Sequence, residues 1–349
     1  MRRLSPSGRR RGLRRYRVAW KDCPMDFESF KARARGFLRT RKGKIAVSAI
    51  LVLLALALIP VPEVGVPVEE IAFENSRFVE VDGFKIHYLD EGSGDRVFIL
   101  LHGFGASVYT WRSIIGNLSS MGRVIAFDRP GFGLTERVEP GRTPYNPYTS
   151  EGVVELTYRL LSKLNVSRAV FIGHSAGGGL ALLFALRHPE MVESVVLVAP
   201  AWKPRVRAWY DNIVFYLPFA DKYGPVVLRG FVGQLEQVLY KAWYNKTLLT
   251  SDVVEGYKHP LKARNWDKGL YWVLKYSDFP DITGELPGLG VKVLIVHGDK
   301  DEIVPLESSV ELSSLLNSTL IVVENVGHLP HEESPGEFLE AVYPFISHG

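Results

Sequence analysis

The strongest constraint on the fold is a series of six short, almost wholly apolar runs that alternate with helical patterns. Runs of this length are typical of strands buried on both faces of a mainly parallel sheet. Between them, Val153, Leu156, Leu160 and Leu164 share one helical face, and Ala176–His188 is apolar and stops before a proline. The alternation predicts an α/β fold with helices on both faces of the sheet. The six runs are Val97–Leu101, Val124–Phe127, Ala169–Ile172, Val195–Val198, Val291–Val296 and Leu320–Val323.

Two segments depart from this alternation. Near the start of the body, Arg77–Val81 and Phe84–Leu89 flank an Asp-Gly pair, which is typical of a tight hairpin between antiparallel strands. Further on, residues 201–289 contain 17 of the chain's 40 aromatic residues and no run that resembles a buried strand. We therefore expect an α/β core over residues 71–200 and 290–349, with a mostly helical cap inserted at residues 201–289.

Positive charge is concentrated at the N-terminus. Residues 1–44 contain 16 basic and 3 acidic residues, a net charge of +13, whereas the remaining 26 basic and 35 acidic residues give −9. Because the body is acidic, we do not expect a nucleic-acid partner. The basic segment 1–44 predicts a disordered tail, and the proline-containing residues 62–70 predict a linker.

Between the tail and the linker lies Ile45–Ile59, a run of fifteen uncharged and almost wholly apolar residues. As a helix it would be about 22 Å long, which is short for a bilayer core of about 30 Å unless flanking residues extend it. We expect residues 45–61 to form a hydrophobic helix that anchors the chain in a membrane by a single pass, with the body on the non-cytoplasmic side. A cleaved signal peptide, an organelle presequence, translation from Met25 and a buried core helix are the alternatives.

A serine sits in a sequence context that favours nucleophilic catalysis. Gly173-His174-Ser175-Ala176-Gly177 fits G-x-S-x-G, directly after a strand-like run and directly before a helical pattern. The flanking glycines remove the Cβ atoms that would clash in a tight strand-to-helix turn, and such a turn raises the hydroxyl above the sheet. Ser175 is therefore the predicted nucleophile.

A serine hydroxyl needs a base, and the base needs a carboxylate. His328 follows the last strand-like run and precedes the final helix, so it is preferred over His331 as the base. The loop after Val291–Val296 contains several acidic residues. Asp301 is preferred over Asp299, which follows a turn glycine and is expected to cap local backbone, and Glu302 is expected to be a surface acid.

An acyl-transfer site also needs donors for the developing oxyanion. The loop Leu101-His102-Gly103-Phe104-Gly105 follows a strand-like run, and we assign the donors to the backbone N–H groups of Phe104 and Ala176. His102 and His174 lie beside the motif glycines, and Trp202 lies where the sheet leads into the cap. These three side chains are candidates for contacts with the substrate. No metal-ligand spacing is present, and neither a metal nor an organic cofactor is expected.

Four separated motifs, "LHGFG", "DRPGFG", "GHSAGG" and "GDKDEIVP", followed by "GH", resemble those of the α/β-hydrolase fold superfamily over about residues 71–349. The resemblance implies a capped core with the active site beneath the cap and a Ser175, Asp301, His328 triad. It also implies that the "DRPGFG" loop is structural, with Arg129 pairing with nearby acids. Resemblance extends to membrane-anchored monoacylglycerol lipase-like and carboxylesterase-type hydrolases.

The residue types exclude some of the reactions that this fold catalyses. Epoxide hydrolases and haloalkane dehalogenases of this fold use aspartate as the nucleophile, which Ser175 excludes. An aromatic cap favours an apolar, lipid-like acyl ester as the small-molecule substrate. The expected activity is carboxylic ester hydrolysis through an acyl-enzyme. A carbon–carbon bond hydrolase, an acyltransferase and a non-catalytic ligand receptor of the same fold are the alternatives.

Overall fold

The computed structural model describes residues 27–204, 209–230 and 232–347. The described residues form a single eight-stranded sheet with the strand order β1-β2-β4-β3-β5-β6-β7-β8. The first two pairings, β1 with β2 and β2 with β4, are antiparallel, and the other five are parallel. The strands are β1 (Arg77–Val81), β2 (Phe84–Glu91), β3 (Val97–Leu101), β4 (Arg123–Phe127), β5 (Ala169–His174), β6 (Val192–Val198), β7 (Lys292–Gly298) and β8 (Thr319–Val323). The predicted mostly parallel α/β-hydrolase sheet is confirmed.

The parallel strands β3 to β7 each contain an apolar run that is buried on both faces, whereas the edge strand β8 is only partly buried. Phe171 of β5 packs in one hydrophobic cluster, and its neighbour Ile172 packs in another on the opposite face of the sheet. The register pairs Leu101 of β3 with Gly173, and His174 with Val198 of β6. The carboxyl ends of these strands therefore meet at one edge of the sheet, where loops in open α/β sheets bind ligands.

Helices cover both faces of the sheet. The apolar stripe of α4 is buried against it, and the Thr149 side chain caps that helix by accepting a hydrogen bond from the Gly152 N–H at 3.0 Å. The core helices are α3 (Ile115–Ser119), α4 (Ser150–Lys163), α5 (Ala176–Arg187), α11 (Leu306–Leu316), α12 (Pro330–Glu333) and α13 (Pro335–Ser347).

A helical insertion separates β6 from β7. The segment that precedes the core runs along it, because the Val66 N–H donates to the Lys262 carbonyl at 2.9 Å and the Arg264 N–H donates to the Val66 carbonyl at 2.7 Å. The residues predicted as a linker are therefore paired with the cap. The cap helices are α6 (Trp209–Tyr216), α7 (Ala220–Arg229), α8 (Leu235–Ala242), α9 (Ser251–Lys258) and α10 (Trp266–Tyr276).

The described residues up to Pro60, 27–60, belong to a separate unit and form the helices α1 (Phe27–Arg39) and α2 (Arg41–Leu58). The predicted disordered tail lies outside the described residues up to position 26. Beyond that position it is helical, because Phe30, Ala34 and Phe37 recur at helical spacing.

The prediction of a membrane anchor at residues 45–61 is wrong. Helix α2 begins at Arg41, so three of its first four residues are basic and about fourteen residues of rise, roughly 21 Å, remain for its apolar part. In the parts of the chain that the structure describes, no helix has the length and apolar content needed to cross a bilayer. The predicted membrane partner and non-cytoplasmic placement rested on this anchor and lose their basis with it.

Candidate active site

Ser175 occupies a strained turn between β5 and α5. Its backbone has φ +53° and ψ −120°, a conformation that non-glycine residues rarely adopt. The Ser175 N–H donates to the Val198 carbonyl at 2.9 Å. A Cβ atom at Gly177 would lie 2.0 Å from the Leu101 carbonyl oxygen, and one at Gly173 would lie 2.5 Å from the Gly177 oxygen. The motif glycines are therefore required for the turn to pack against the sheet edge.

The Ser175 side chain lines a cavity of about 380 Å³ between the carboxyl edge of the sheet and the cap. His328 lies on the wall of the same cavity. No hydrogen bond joins the Ser175 hydroxyl to His328 among the described residues, as is common for catalytic pairs without substrate. Most of the wall is apolar, and half of its lining residues come from the cap, including Leu228, Val232, Leu235, Val238, Leu239 and Leu270.

His328 and Asp301 are joined directly. The His328 Nδ1 atom lies 2.7 Å from the Asp301 Oδ2 atom, and the other carboxylate oxygen accepts from the backbone N–H groups of Ile303 at 2.7 Å and Val304 at 3.0 Å. Burial acts to raise the pKa of Asp301, but hydrogen bonds from His297, His328 and Val304 outweigh it and hold that pKa well below its ordinary value. The carboxylate is therefore ionised and orients the imidazole.

The competing residues lie elsewhere. The His331 ring is fully buried, and its Nε2 atom lies 3.0 Å from the Thr110 hydroxyl rather than on the cavity wall. Asp299 accepts a hydrogen bond from the Val326 N–H at 3.4 Å and pairs with Lys300, and Glu302 is exposed. Of the alternatives weighed from sequence, the structure brings only His328 and Asp301 together at this site.

The loop after β3 lies against the nucleophile turn. A Cβ atom at Gly103 would lie 2.9 Å from the His174 Nδ1 atom and 3.2 Å from the Ser175 Cβ atom, so a larger residue would require these side chains to shift. Neither the Phe104 N–H nor the Ala176 N–H donates a hydrogen bond to any residue that the structure describes. Both predicted oxyanion donors are therefore available beside the serine.

The three side chains proposed from sequence to contact the substrate have different positions. His174 lines the cavity, and its Nε2–H donates to the His328 carbonyl at 2.9 Å. Burial, together with the nearby His328 and His331, lowers the pKa of His174 well below its ordinary value. His102 and Trp202 are almost fully buried and do not line the cavity. Their ring N–H groups donate to backbone carbonyls instead.

Two further residues hold the His328–Asp301 pair. The His297 Nε2 atom lies 3.2 Å from the Asp301 Oδ2 atom. This role of His297 could have been predicted from the sequence, because the residue lies at the end of β7, just before the acidic loop. The Glu333 carboxylate accepts from the backbone N–H groups of Gly327 at 2.8 Å, Tyr244 at 2.8 Å and Asn245 at 2.9 Å. No sequence pattern pointed to Glu333, because two of its three donors come from the distant cap.

The sequence profile of the α/β hydrolase fold matches residues 96–335, which span the sheet, the cap and the site. The chain belongs to the α/β-hydrolase fold family. Among its relatives is the uncharacterized hydrolase YugF of Bacillus subtilis, 29% identical over 272 residues that cover 76% of this chain and 96% of that protein. Another α/β hydrolase of similar sequence is the 2-hydroxy-6-oxo-6-(2'-aminophenyl)hexa-2,4-dienoic acid hydrolase of Metapseudomonas resinovorans, 26% identical over 284 residues that cover 78% of this chain and 90% of that protein.

Solved structures of α/β hydrolases resemble this one. A meta-cleavage product hydrolase from Pseudomonas fluorescens superimposes with a TM-score of 0.64 at 26% identity, and the match covers 78% of this chain and 97% of that one. Fold, site and relatives together support a hydrolase of the α/β-hydrolase family.

Proposed function

We propose that this α/β hydrolase cleaves carboxylic esters with an apolar acyl group, with Ser175 as nucleophile, His328 as base and Asp301 as its orienting carboxylate. The observation that carries this proposal is the character of the cavity wall. Among its described residues, Arg137 is the one arginine or lysine, and no aspartate or glutamate lines it. A largely apolar wall favours an uncharged, apolar substrate.

The proposed reaction is acyl transfer in two steps. Asp301 holds Nδ1 of His328, which leaves Nε2 of the imidazole to take the proton of the Ser175 hydroxyl as its oxygen attacks the ester carbonyl. The N–H groups of Phe104 and Ala176 bind the oxyanion. The imidazolium then protonates the leaving alcohol and an acyl-enzyme forms. In the second step, water gives a proton to His328 and attacks the acyl carbonyl; the bond from the acyl carbon to the Ser175 oxygen then breaks, and His328 returns the proton to that oxygen as the acid leaves.

Carbon–carbon bond hydrolysis is the second candidate. A relative named for hydrolysis of a dienoic acid and a similar meta-cleavage product hydrolase structure favour it. A dienoic acid carries a carboxylate at neutral pH, and Arg137 on the wall is a cation that could bind it. The Arg137 guanidinium, however, already donates to the carbonyls of Gly133 and Thr135, which limits what it can offer a ligand.

One experiment separates these candidates. The purified protein is labelled with a fluorophosphonate, then assayed with p-nitrophenyl esters of two to sixteen carbons and with a meta-cleavage dienoate. We expect labelling and ester turnover that both disappear in Ser175→Ala, and dienoate turnover at least about a hundredfold slower, in kcat/KM, than that of the best ester. Ser194→Ala, a buried serine on β6, is the matched control and is expected to keep both.

Two results would contradict the ester proposal. Labelling that persists in Ser175→Ala would show that Ser175 is not the nucleophile. Dienoate turnover faster than that of every ester would favour the carbon–carbon candidate and would leave the Ser175, His328 and Asp301 roles in place.

A further inference from the structure

A buried arginine next to the proposed oxyanion donor makes no salt bridge to any acidic side chain that the structure describes. Arg129 is 6% exposed and makes no ion pair with any residue that the structure describes. The salt bridge to an acid that the "DRPGFG" motif suggested is therefore absent at this residue, although the nearby charge of Asp128 acts to raise the pKa of Arg129. The adjacent Asp128 uses its carboxylate oxygens for the N–H groups of Val108 and Leu134 and for His87.

Keeping this cation buried is unfavourable unless it makes other interactions. Burial lowers the pKa of Arg129 to about 9, so its guanidinium is still charged at neutral pH. It lies over the Phe132 ring at 5.0 Å from the centroid. Its Nη2–H donates to the Gly103 carbonyl oxygen at 2.9 Å. The hydrogen bonding of this cation is thus directed at one backbone carbonyl.

His102 donates to the same carbonyl. The Arg129 backbone N–H donates to the His102 Nε2 atom at 3.0 Å, so that nitrogen is an acceptor and the ring proton resides on Nδ1. The Nδ1–H then donates to the Gly103 oxygen at 2.8 Å. Burial lowers the pKa of His102 to about 3, with the charge of Arg129 acting in the same direction, so the ring stays neutral.

The Gly103 carbonyl and the Phe104 N–H belong to one planar peptide unit. Fixing the oxygen at one end therefore fixes the direction of the N–H at the other end. A hydrogen bond from a charged donor to the oxygen also polarises the amide, which makes the N–H a stronger donor. The motif thus connects a buried cation to the atom that is proposed to bind the oxyanion.

We propose that Arg129 and His102 are positioning residues for oxyanion stabilisation, and that they act through the Gly103–Phe104 peptide. This inference rests on the proposed function, in which the Phe104 N–H binds the oxyanion. The Arg129 charge stabilises the transition state more than the ground state, because the oxyanion carries a full negative charge and the ester carbonyl only a partial one. An arginine with a purely structural role would not stabilise the transition state more than the ground state.

The test compares Arg129→Met and Arg129→Lys with wild type on one p-nitrophenyl ester and with a trifluoromethyl ketone, which forms a tetrahedral oxyanion adduct with the serine. We expect Arg129→Met to lower kcat about 10- to 100-fold with KM within about threefold, since it weakens one donor rather than removing it. Affinity for the ketone should fall by the same factor as kcat/KM. Arg129→Lys keeps the charge and should recover part of both losses.

Arg123→Met is the matched control. Arg123 also donates to a backbone carbonyl, that of Leu164 at 3.0 Å, but it does so away from the site, where it pairs with Asp90. We expect this variant to keep kcat and ketone affinity within about twofold of wild type. Circular dichroism and urea unfolding identify variants that are misfolded.

Wild type that turns over no ester would overturn the proposed function itself. Active wild type with a folded Arg129→Met that keeps kcat and ketone affinity would overturn this inference alone. So would a loss confined to KM, or equal losses in Arg129→Met and Arg129→Lys. If Arg129→Met does not fold, the inference is tested with Arg129→Lys and His102→Gln, each of which alters one donor to the Gly103 carbonyl. Each must lower the affinity for the ketone, and unchanged affinity in both would overturn the inference.

Discussion

The sheet edge and the cap form the two sides of the cavity by different means. At the sheet edge, backbone atoms approach so closely that Gly177 cannot carry a Cβ atom, and Ser175 is held at a positive φ. In the cap, Val227 and Val238 leave about half or more of their surface exposed, and short helices enclose the cavity with apolar side chains. The proposed chemistry therefore depends on a rigid edge. The selectivity for substrates depends on the cap, whose side chains can be substituted without disturbing that edge.

The two sides are connected at the loop that carries the proposed base. The His328 N–H donates to the Ala242 carbonyl of the cap at 2.7 Å. The Glu333 carboxylate accepts from N–H groups of both the cap and this loop. Contacts from both the edge and the cap therefore hold His328 in position. Variants can test whether changes in the cap affect the chemistry at the edge.

The largest effect is expected at the edge. Asp301→Asn keeps the shape of the side chain but removes the charge that fixes the His328 tautomer, so kcat on the best ester should fall about 10⁴-fold. KM should change little. Asp299→Asn, two residues earlier in the same loop, is the control and should stay within about threefold of wild type. Comparable losses in the two variants, measured by steady-state kinetics, would contradict the assignment of Asp301.

A smaller effect is expected where the edge and the cap meet. Glu333→Ala leaves three backbone N–H groups without their acceptor, so the His328 loop should lose its fixed position. We expect kcat to fall about 10- to 100-fold and the free energy of unfolding to fall by about 2 kcal/mol. Glu337→Gln, an exposed residue of α13, is the control. If kcat is unchanged in folded Glu333→Ala, the cap does not help to position the base.

In the cap itself, we expect selectivity to change rather than chemistry. Leu235→Trp places an indole at a partly buried wall position of α8 and shortens the space for an acyl chain. The kcat/KM for esters of twelve or more carbons should fall about tenfold, and that for acetate esters should stay within about twofold. Tyr240→Ala, on the same helix but off the wall, should leave the chain-length profile unchanged. An equal loss at every chain length would mean that α8 acts on the chemistry.

The smallest effect concerns the stability of the edge in acid. Burial lowers the pKa values of His102, His174 and His331 below the ordinary value of about 6.5. Below that pH the unfolded chain takes up protons that the folded protein does not, so the free energy of unfolding falls as the pH falls. Each such histidine contributes about 1.4 kcal/mol per pH unit.

His331→Gln removes one of these groups. Urea unfolding at pH 7, 6 and 5 should show that stability changes less steeply between pH 6 and 5, by about 1.4 kcal/mol per pH unit. The comparison uses slopes, so a constant loss of stability in the variant does not affect it. A slope equal to that of wild type would show that His331 is protonated in the folded protein as readily as in the unfolded chain.

The elements of the core were predictable because their signals are local. Continuous apolar runs identified β3 to β8, and the glycines around Ser175 identified the turn that needs them. The hydrophobic run Ile45–Ile59 was misinterpreted as an anchor, because flanking residues were expected to extend its apolar length and in the structure they do not. In the structure α2 begins at Arg41, which places three basic residues in its first turn.

Sequence alone determined the α/β-hydrolase fold, and it predicted the triad of Ser175, Asp301 and His328 and the loop that supplies the oxyanion donors, because these depend on residue type and on position next to a strand. Only the tertiary structure decided that Arg129 makes no salt bridge to an acid among the described residues and bonds to Gly103, and that Glu333 joins the cap to the His328 loop. Contacts of this kind depend on which distant carbonyl or N–H group lies within about 3 Å, and spacing along the chain does not contain that distance.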